Sequence, residues 1–271
     1  MRNLSLRIGT FLCVITAAAA VVGSWWTPYD PLHPETEAAY APPSASHPFG
    51  TDWFGRDVLS RVLAASPVGM RIAAAGVLAG CAAGMVLGIL SALSGGLWGE
   101  AVGGILNGVL SFPPLLLALL LVTVFGPGEG SVILAVGLFN MPYFGRIVRA
   151  EILKLRDREF VEAARACGAG GLRITLVHLL PNALGPLVVQ MTSAFGFALL
   201  SEAALSYLGL GTQPPFPSWG RMLKEAQTYI ALAPWTAIFP GLALVLAVLG
   251  FNLLGDGLQS RLDPRLRHRK P

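Results

Sequence analysis

The chain has 271 residues, of which 54% are hydrophobic and only 13% charged, and its mean hydropathy is +0.63. A soluble domain carries about a quarter charged residues, so this composition excludes an ordinary water-soluble fold and points to a membrane protein. The formal net charge of +4 matters through its distribution along the chain, and the three cysteines, Cys13, Cys81 and Cys167, stand too far apart for a metal-binding pattern.

A spanning helix needs about 20 mainly apolar residues to cross about 30 Å of hydrocarbon. Six stretches approach that length: 8–26, 68–93, 103–125, 131–148, 183–205 and 232–254. The first follows Arg2 and Arg7 and contains Ala17 to Ala20, which also suits a signal peptide. Its length and the closing Trp25-Trp26 pair favour an uncleaved anchor with an interfacial aromatic belt. The fourth is short and ends in Arg146 and Arg149, which can snorkel to headgroups.

Six spans with the N-terminus inside leave 1–7, 94–102, 149–182 and 255–271 in the cytoplasm. These segments hold most of the basic residues, including Arg149, Lys154, Arg156, Arg158, Arg165, Arg173, Arg261, Arg265, Arg267, Arg269 and Lys270. The opposite segments hold Arg56, Arg61, Arg221 and Lys224. The positive-inside rule therefore predicts both termini in the cytoplasm.

On the outer side, residues 27–67 carry six prolines between Pro28 and Pro48, which predicts an extended loop, with a short helix starting around Asp57. In the second outer segment, Trp219, Met222, Leu223, Ala226 and Ile230 share one helical face, opposite Arg221, Lys224 and Glu225. That pattern predicts an interfacial helix over 218–230.

Between the fourth and fifth spans lies "REFVEAARACGAGGLRITLVHLLPN", residues 158–182. Phe160, Ala163, Ala164 and Cys167 recur at helical spacing, with Arg158, Glu159, Glu162 and Arg165 on the remaining circumference. The run Gly168-Ala169-Gly170-Gly171 supplies residues able to take positive φ and stop the helix. A second helical pattern restarts at Leu172, and Pro181 ends it and begins the fifth span. The segment reads as a helix–turn–helix elbow against the inner membrane face, and periodicity alone leaves open whether it rests on anionic headgroups or docks a partner.

The residues Glu162, Ala163, Ala164, Gly168, Leu180 and Pro181 resemble the EAA loop of ABC-importer permeases, with His178 where that motif has an isoleucine. Four further blocks, at 47–63, 178–187, 201–223 and 251–267, resemble the dipeptide, oligopeptide and nickel branch of these permeases, in the same order, and match its second, C-type subunit. The resemblance implies an all-α polytopic membrane protein with six transmembrane helices in the type I ABC-importer permease fold, in a bacterial inner membrane. It implies an anchor and outer loop over 1–67 and a permease core over 68–271, in which 149–182 is the coupling loop. It further implies a second permease subunit, two cytoplasmic ATP-binding subunits and an extracytoplasmic solute-binding protein as partners. Dipeptides or oligopeptides are the expected cargo, with nickel or a metal–metallophore complex as the alternative. The competing class is a secondary transporter or membrane scaffold whose basic elbow binds only lipid.

The chemistry of the side chains bears on that choice. None of Lys154, Lys224 and Lys270 follows a glycine, so no phosphate-cradling loop is present. ATP and magnesium are therefore expected on partner chains, with no cofactor, metal or catalytic residue in this one and no nucleic-acid partner. All four histidines lie outside the expected spans, and no H-E-x-x-H occurs. Glu202 is the one acid inside a span, and it falls near the outer interface rather than at the midplane where a proton relay would sit. Asn107, Ser111, Asn140, Gln190, Ser193 and Glu202 are the candidates to line a path, with helix–helix packing as the competing reading.

Overall fold

The computed structural model describes residues 2–94 and 96–262, with side chains from Leu4 onward. The tail cations Arg265, Arg267, Arg269 and Lys270 lie outside the described residues. The helices are α1 (Arg2–Trp25), α2 (Val58–Ser94), α3 (Gly96–Leu110), α4 (Pro114–Phe125), α5 (Glu129–Leu155), α6 (Glu159–Ala166), α7 (Gly171–Tyr207), α8 (Trp219–Gln227) and α9 (Trp235–Leu262). Among the described residues the only β pairing is an isolated bridge between Thr51 and Asp57.

Helices α1, α2, α5, α7 and α9 are each long and apolar enough to cross a membrane. Helical pairing meets most of the backbone demand that hydrocarbon makes, while Pro67, Pro142, Pro186 and Pro240 each remove one donor from α2, α5, α7 and α9. The third expected span, 103–125, is not one straight helix: α3 and α4 meet at 93°. Pro113 and Pro114 lack donors, and Pro113 is held extended at φ −58°, ψ 133° by the proline that follows it. Five helices are therefore long and apolar enough to cross on their own, and α3 with α4 is a bent pair in place of the third straight span. Helix α5 runs to Leu155, beyond the inner boundary expected at 148; Arg146 is exposed, whereas Arg149 is half-buried against Gly103 of α3.

The centre of the bundle is the pairing of α2 with α5. Gly76, Gly80, Gly84 and Gly88 recur every fourth residue and so share one face of α2. A Cβ on Gly80 would come within 2.6 Å of the Gly137 carbonyl, and one on Gly84 within 2.7 Å of Phe144 Cβ. Such close backbone approach is how helices gain dispersion contact in lipid, where no hydrophobic force drives them together. Ile72, Val132, Phe144 and Val148 are fully buried around this seam. At the bundle's edge, α1 packs on α9 in the same manner, with Gly250 against Leu12 and Gly257 against Leu6.

Two segments expected on the outer side differ in form from that expectation. Residues 58–67 belong to α2, so the boundary expected at 67/68 falls inside a helix. Residues 27–57 are not an extended loop but a folded clasp holding a one-turn helix at Thr36–Ala38. Its prolines remove donors, yet many of the remaining amides find partners: Glu35 N donates to Phe54 O and Tyr40 N to Asp52 O. Phe49 stacks on Phe239 of α9 at 3.9 Å, and Trp235 Nε1 donates to Thr51 O. Helix α8 is capped by Ser218, whose Oγ accepts from Arg221 N. Its apolar face, Trp219, Met222 and Ala226, is buried against protein rather than laid on the bilayer, and Trp219 Nε1 donates to Val62 O of α2 at 3.1 Å. Ile230, expected on that face, lies beyond the helix and is exposed.

Candidate functional site

At the end of the bundle where α5 stops, α6 turns the chain back into α7. Glu159 and Glu162 stand in its first turn and Arg165 in its last, each sign matching the helix dipole. A Schellman cap closes it: Ala169 N donates to Ala164 O and Gly168 N to Arg165 O. Gly168 carries the required positive φ, +80°, and nothing lies within 4 Å of where its Cβ would be.

Which face of α6 is buried differs from the periodicity. Val161 is fully buried and Ala164 half-buried beside it, because α6 docks on residues 174–179 through them. Phe160, Ala163 and Cys167 are exposed, and so is Glu162. The apolar residues therefore form two faces, one packed inward and one bare.

The second half of the elbow is not a separate helix. Residues 171–207 form one continuous helix whose stretch Ile174–Leu179 is π-helical, with Leu180 N donating to Thr175 O. Pro181 has no N–H to give the carbonyl of Val177, and its ring crowds that oxygen, so the turn widens ahead of it. Pro181 is interior to α7 rather than a boundary. His178 sits half-buried in the widened turn, and its carbonyl accepts from Asn182 Nδ2 at 2.7 Å. Ile174, Thr175 and Leu179 are buried, Leu180 is half-buried and Pro181 is exposed.

The six polar residues inside the spans do not converge on one cavity of this chain. Asn107 and Ser111 are exposed at the α3–α4 bend, with Ser111 Oγ donating to Asn107 O. Asn140 is buried in the α2–α5 seam, where its Nδ2 donates to Val136 O at 2.8 Å. Gln190 is half-buried on α7, and Ser193 sits where α7 meets Gly255 of α9. Glu202 is 1% exposed; Ser206 Oγ donates to its Oε1 at 2.6 Å and Thr212 Oγ1 approaches at 3.4 Å. Beside these, an apolar groove of about 320 Å³ runs between α4, α5 and α7, lined by Pro113, Pro114, Phe139 and Phe197 among others.

At the opposite end, a buried ionic cluster ties the clasp to α8. Glu225 Oε2 accepts from Arg61 Nη2 at 2.9 Å and Arg56 Nη2 at 3.1 Å, and its Oε1 from Arg221 Nε at 2.9 Å. Asp52 Oδ2 takes the other arms of Arg56 and Arg61. Next to it, His47 Nδ1 pairs with Asp57 Oδ1 at 2.9 Å, and Asp57 Oδ2 accepts from Ser60 N and Oγ. Sequence reasoning counted these residues as outer charges and missed the cluster. Arg61 and Glu225 are 164 positions apart, but two arginines one turn from the start of an apolar helix were the available signal.

Residues 84–268 match the model of a family described as binding-protein-dependent transport system inner membrane component. The dipeptide transport system permease protein DppC of Escherichia coli is 44% identical over 272 aligned positions, covering 98% of this chain and 91% of that protein. The DppC protein of Alkalihalophilus pseudofirmus is 42% identical over 225 positions, 83% of this chain and 74% of that one. Among solved structures, the inward-facing MetNI methionine ABC transporter matches with a TM-score of 0.58 at 20% identity, over 72% of this chain and 93% of that one. The last is a likeness of fold.

Proposed function

Because this chain belongs to the family of binding-protein-dependent transport system inner membrane components, we propose that it is a permease subunit of an ATP-driven importer of di- and oligopeptides, the cargo named for its relatives. It is a multi-pass inner-membrane protein. It pairs with a second permease across the apolar groove of α4, α5 and α7 to form the path, and its termini and α6 face the cytoplasm, as the positive-inside distribution supports. Two ATPase subunits carry ATP and magnesium, and an extracytoplasmic solute-binding protein delivers cargo to the end bearing the clasp and α8.

One observation carries the coupling role: α6 leaves Phe160, Ala163 and Cys167 bare beside Glu162 while its other face is packed onto the root of α7. A surface so placed transmits a push on α6 to a spanning helix, because α7 runs from Gly171 to Tyr207 as one rod. An ATPase that closes on ATP would move α7 as a rigid body and shift the walls of the path. Glu162→Lys reverses the charge beside the bare face without touching Val161. The ATPase should co-purify with the wild-type assembly and be lost from the Glu162→Lys assembly at equal membrane insertion. Equal recovery of the ATPase with both would overturn the coupling role of α6.

A further inference from the structure

The clasp, α8 and the 206–217 loop together border an open cavity of about 470 Å³ that the transport reading leaves unused. Trp53 and Tyr229 form an aromatic wall, Thr212 and Gln213 line the loop side, and Arg221 and Lys224 add cations. This volume lies within the usual range for small-molecule sites.

The charges around it do not cancel. Arg56, Arg61 and Arg221 share the two carboxylates of Asp52 and Glu225, which leaves one positive charge in excess. Lys224 adds a second, since it makes no ion pair among the described residues. Its ammonium lies beside Gly209, where an added Cβ would stand 2.9 Å from Nζ. The other acids nearby do not face the cavity: Glu202 is sealed behind Ser206 and Thr212, and Asp57 is paired with His47. Glu225 itself is saturated by three guanidiniums. Lys224 and the excess charge of the adjoining arginine cluster, of which Arg221 reaches the wall, leave the cavity net positive, and a net-positive concave site concentrates anions.

The cavity is also built in advance. Ser206, anchored on Glu202, accepts from Thr212 N at 3.0 Å, and Gln213 Nε2 donates to the carbonyls of Gly209 and Gly211 at 3.1 and 2.8 Å. A wall held in this way loses little entropy when a ligand arrives.

We propose that this cavity is a subsite for the C-terminal carboxylate of a short peptide, received by Lys224 and Arg221, with Trp53 and Tyr229 flanking the rest of the molecule. The assignment rests on the peptide-importer reading and adds the residues of this chain that hold cargo at its outer mouth. Thr228 lines the cavity and is exposed, so the Thr228→Cys variant, in an assembly whose Cys13, Cys81 and Cys167 are replaced by alanine, reports on the site. An anionic methanethiosulfonate reagent should modify it faster than a cationic one. Lys224→Gln should reduce that ratio about fivefold, the effect of one charge at roughly 8 Å in water-like surroundings acting oppositely on the two reagents, and Lys224→Arg should restore it.

Alanylalanine should slow the labelling, and alanylalanine amide should not. Equal protection by the amide, protection by neither, or protection only when the solute-binding protein is added would each overturn the subsite. ATP-driven uptake of labelled alanylalanine by the same preparation keeps the two readings apart. Uptake without protection removes the subsite alone, and protection without uptake removes the importer reading.

Discussion

Glu225 joins the clasp, the first turns of α2 and α8 through three guanidiniums. Burial pushes its carboxyl up, but Arg61, Arg221 and Arg56 outweigh burial and hold it below the ordinary carboxylate value. A group whose folded-state value is lowered contributes stability above its unfolded value and loses it as pH falls through the lowered one. The ionic cluster should therefore be at full strength at neutral pH and weaken only below about pH 4. Glu225→Gln leaves buried arginine charge uncompensated, and its cost is expected to be about 3 kcal/mol, read as a lower melting temperature at pH 7. That deficit should shrink as the pH falls below the ordinary carboxylate value, because protonation of the unfolded wild type then removes part of what the ion pairs contribute. An equal deficit at pH 7 and pH 3.5 would rule out the ionic account. Only the two arginines beside the start of α2 hinted at this pairing in the sequence, where Arg56, Arg61 and Arg221 read as charges of outer segments and Glu225 as part of the polar face of α8. Gly168 was legible, because a glycine closing an amphipathic run has one common use.

The six-span pattern was legible at the scale of elements, since hydropathy reports the length of an apolar run directly. The bend at Pro113 was not, because hydropathy ignores direction, although the Pro113-Pro114 pair carried the physical reason for it. Helix α8 was located from its periodicity, but its apolar face meets α2 rather than lipid: a period fixes the face and not what covers it. The glycine stripe of α2 lay unread for a related reason, since four glycines in a hydrophobic run signify close packing only once their fourfold spacing is set against a partner helix. Gly84→Val places side-chain atoms where Met141 and Phe144 already stand. Overpacking of this kind costs about 1–3 kcal/mol. The variant should insert but melt at a lower temperature, whereas Gly104→Val, which meets nothing within 4 Å, should melt as the wild type does. Equal melting of the two variants would show that the stripe does not set the α2–α5 distance.

Across the whole molecule, the two ends of the bundle are built for different work. The end bearing α8 is closed by buried ion pairs, stacked aromatics and a folded clasp. The other end offers a short helix with a bare apolar face, standing on a 37-residue rod. That asymmetry suits the proposed subunit, which takes cargo at one end and force at the other. The most direct test is uptake of labelled alanylalanine into proteoliposomes holding the full importer, with ATP supplied to the ATPase face. Wild-type assemblies should accumulate the dipeptide only with ATP. Glu162→Lys and Gly168→Val, the second forcing a β-branched residue into positive φ at the cap of α6, should abolish uptake while both chains still insert. Wild-type rates from both variants would contradict the claim that α6 carries the energy of another chain into this one.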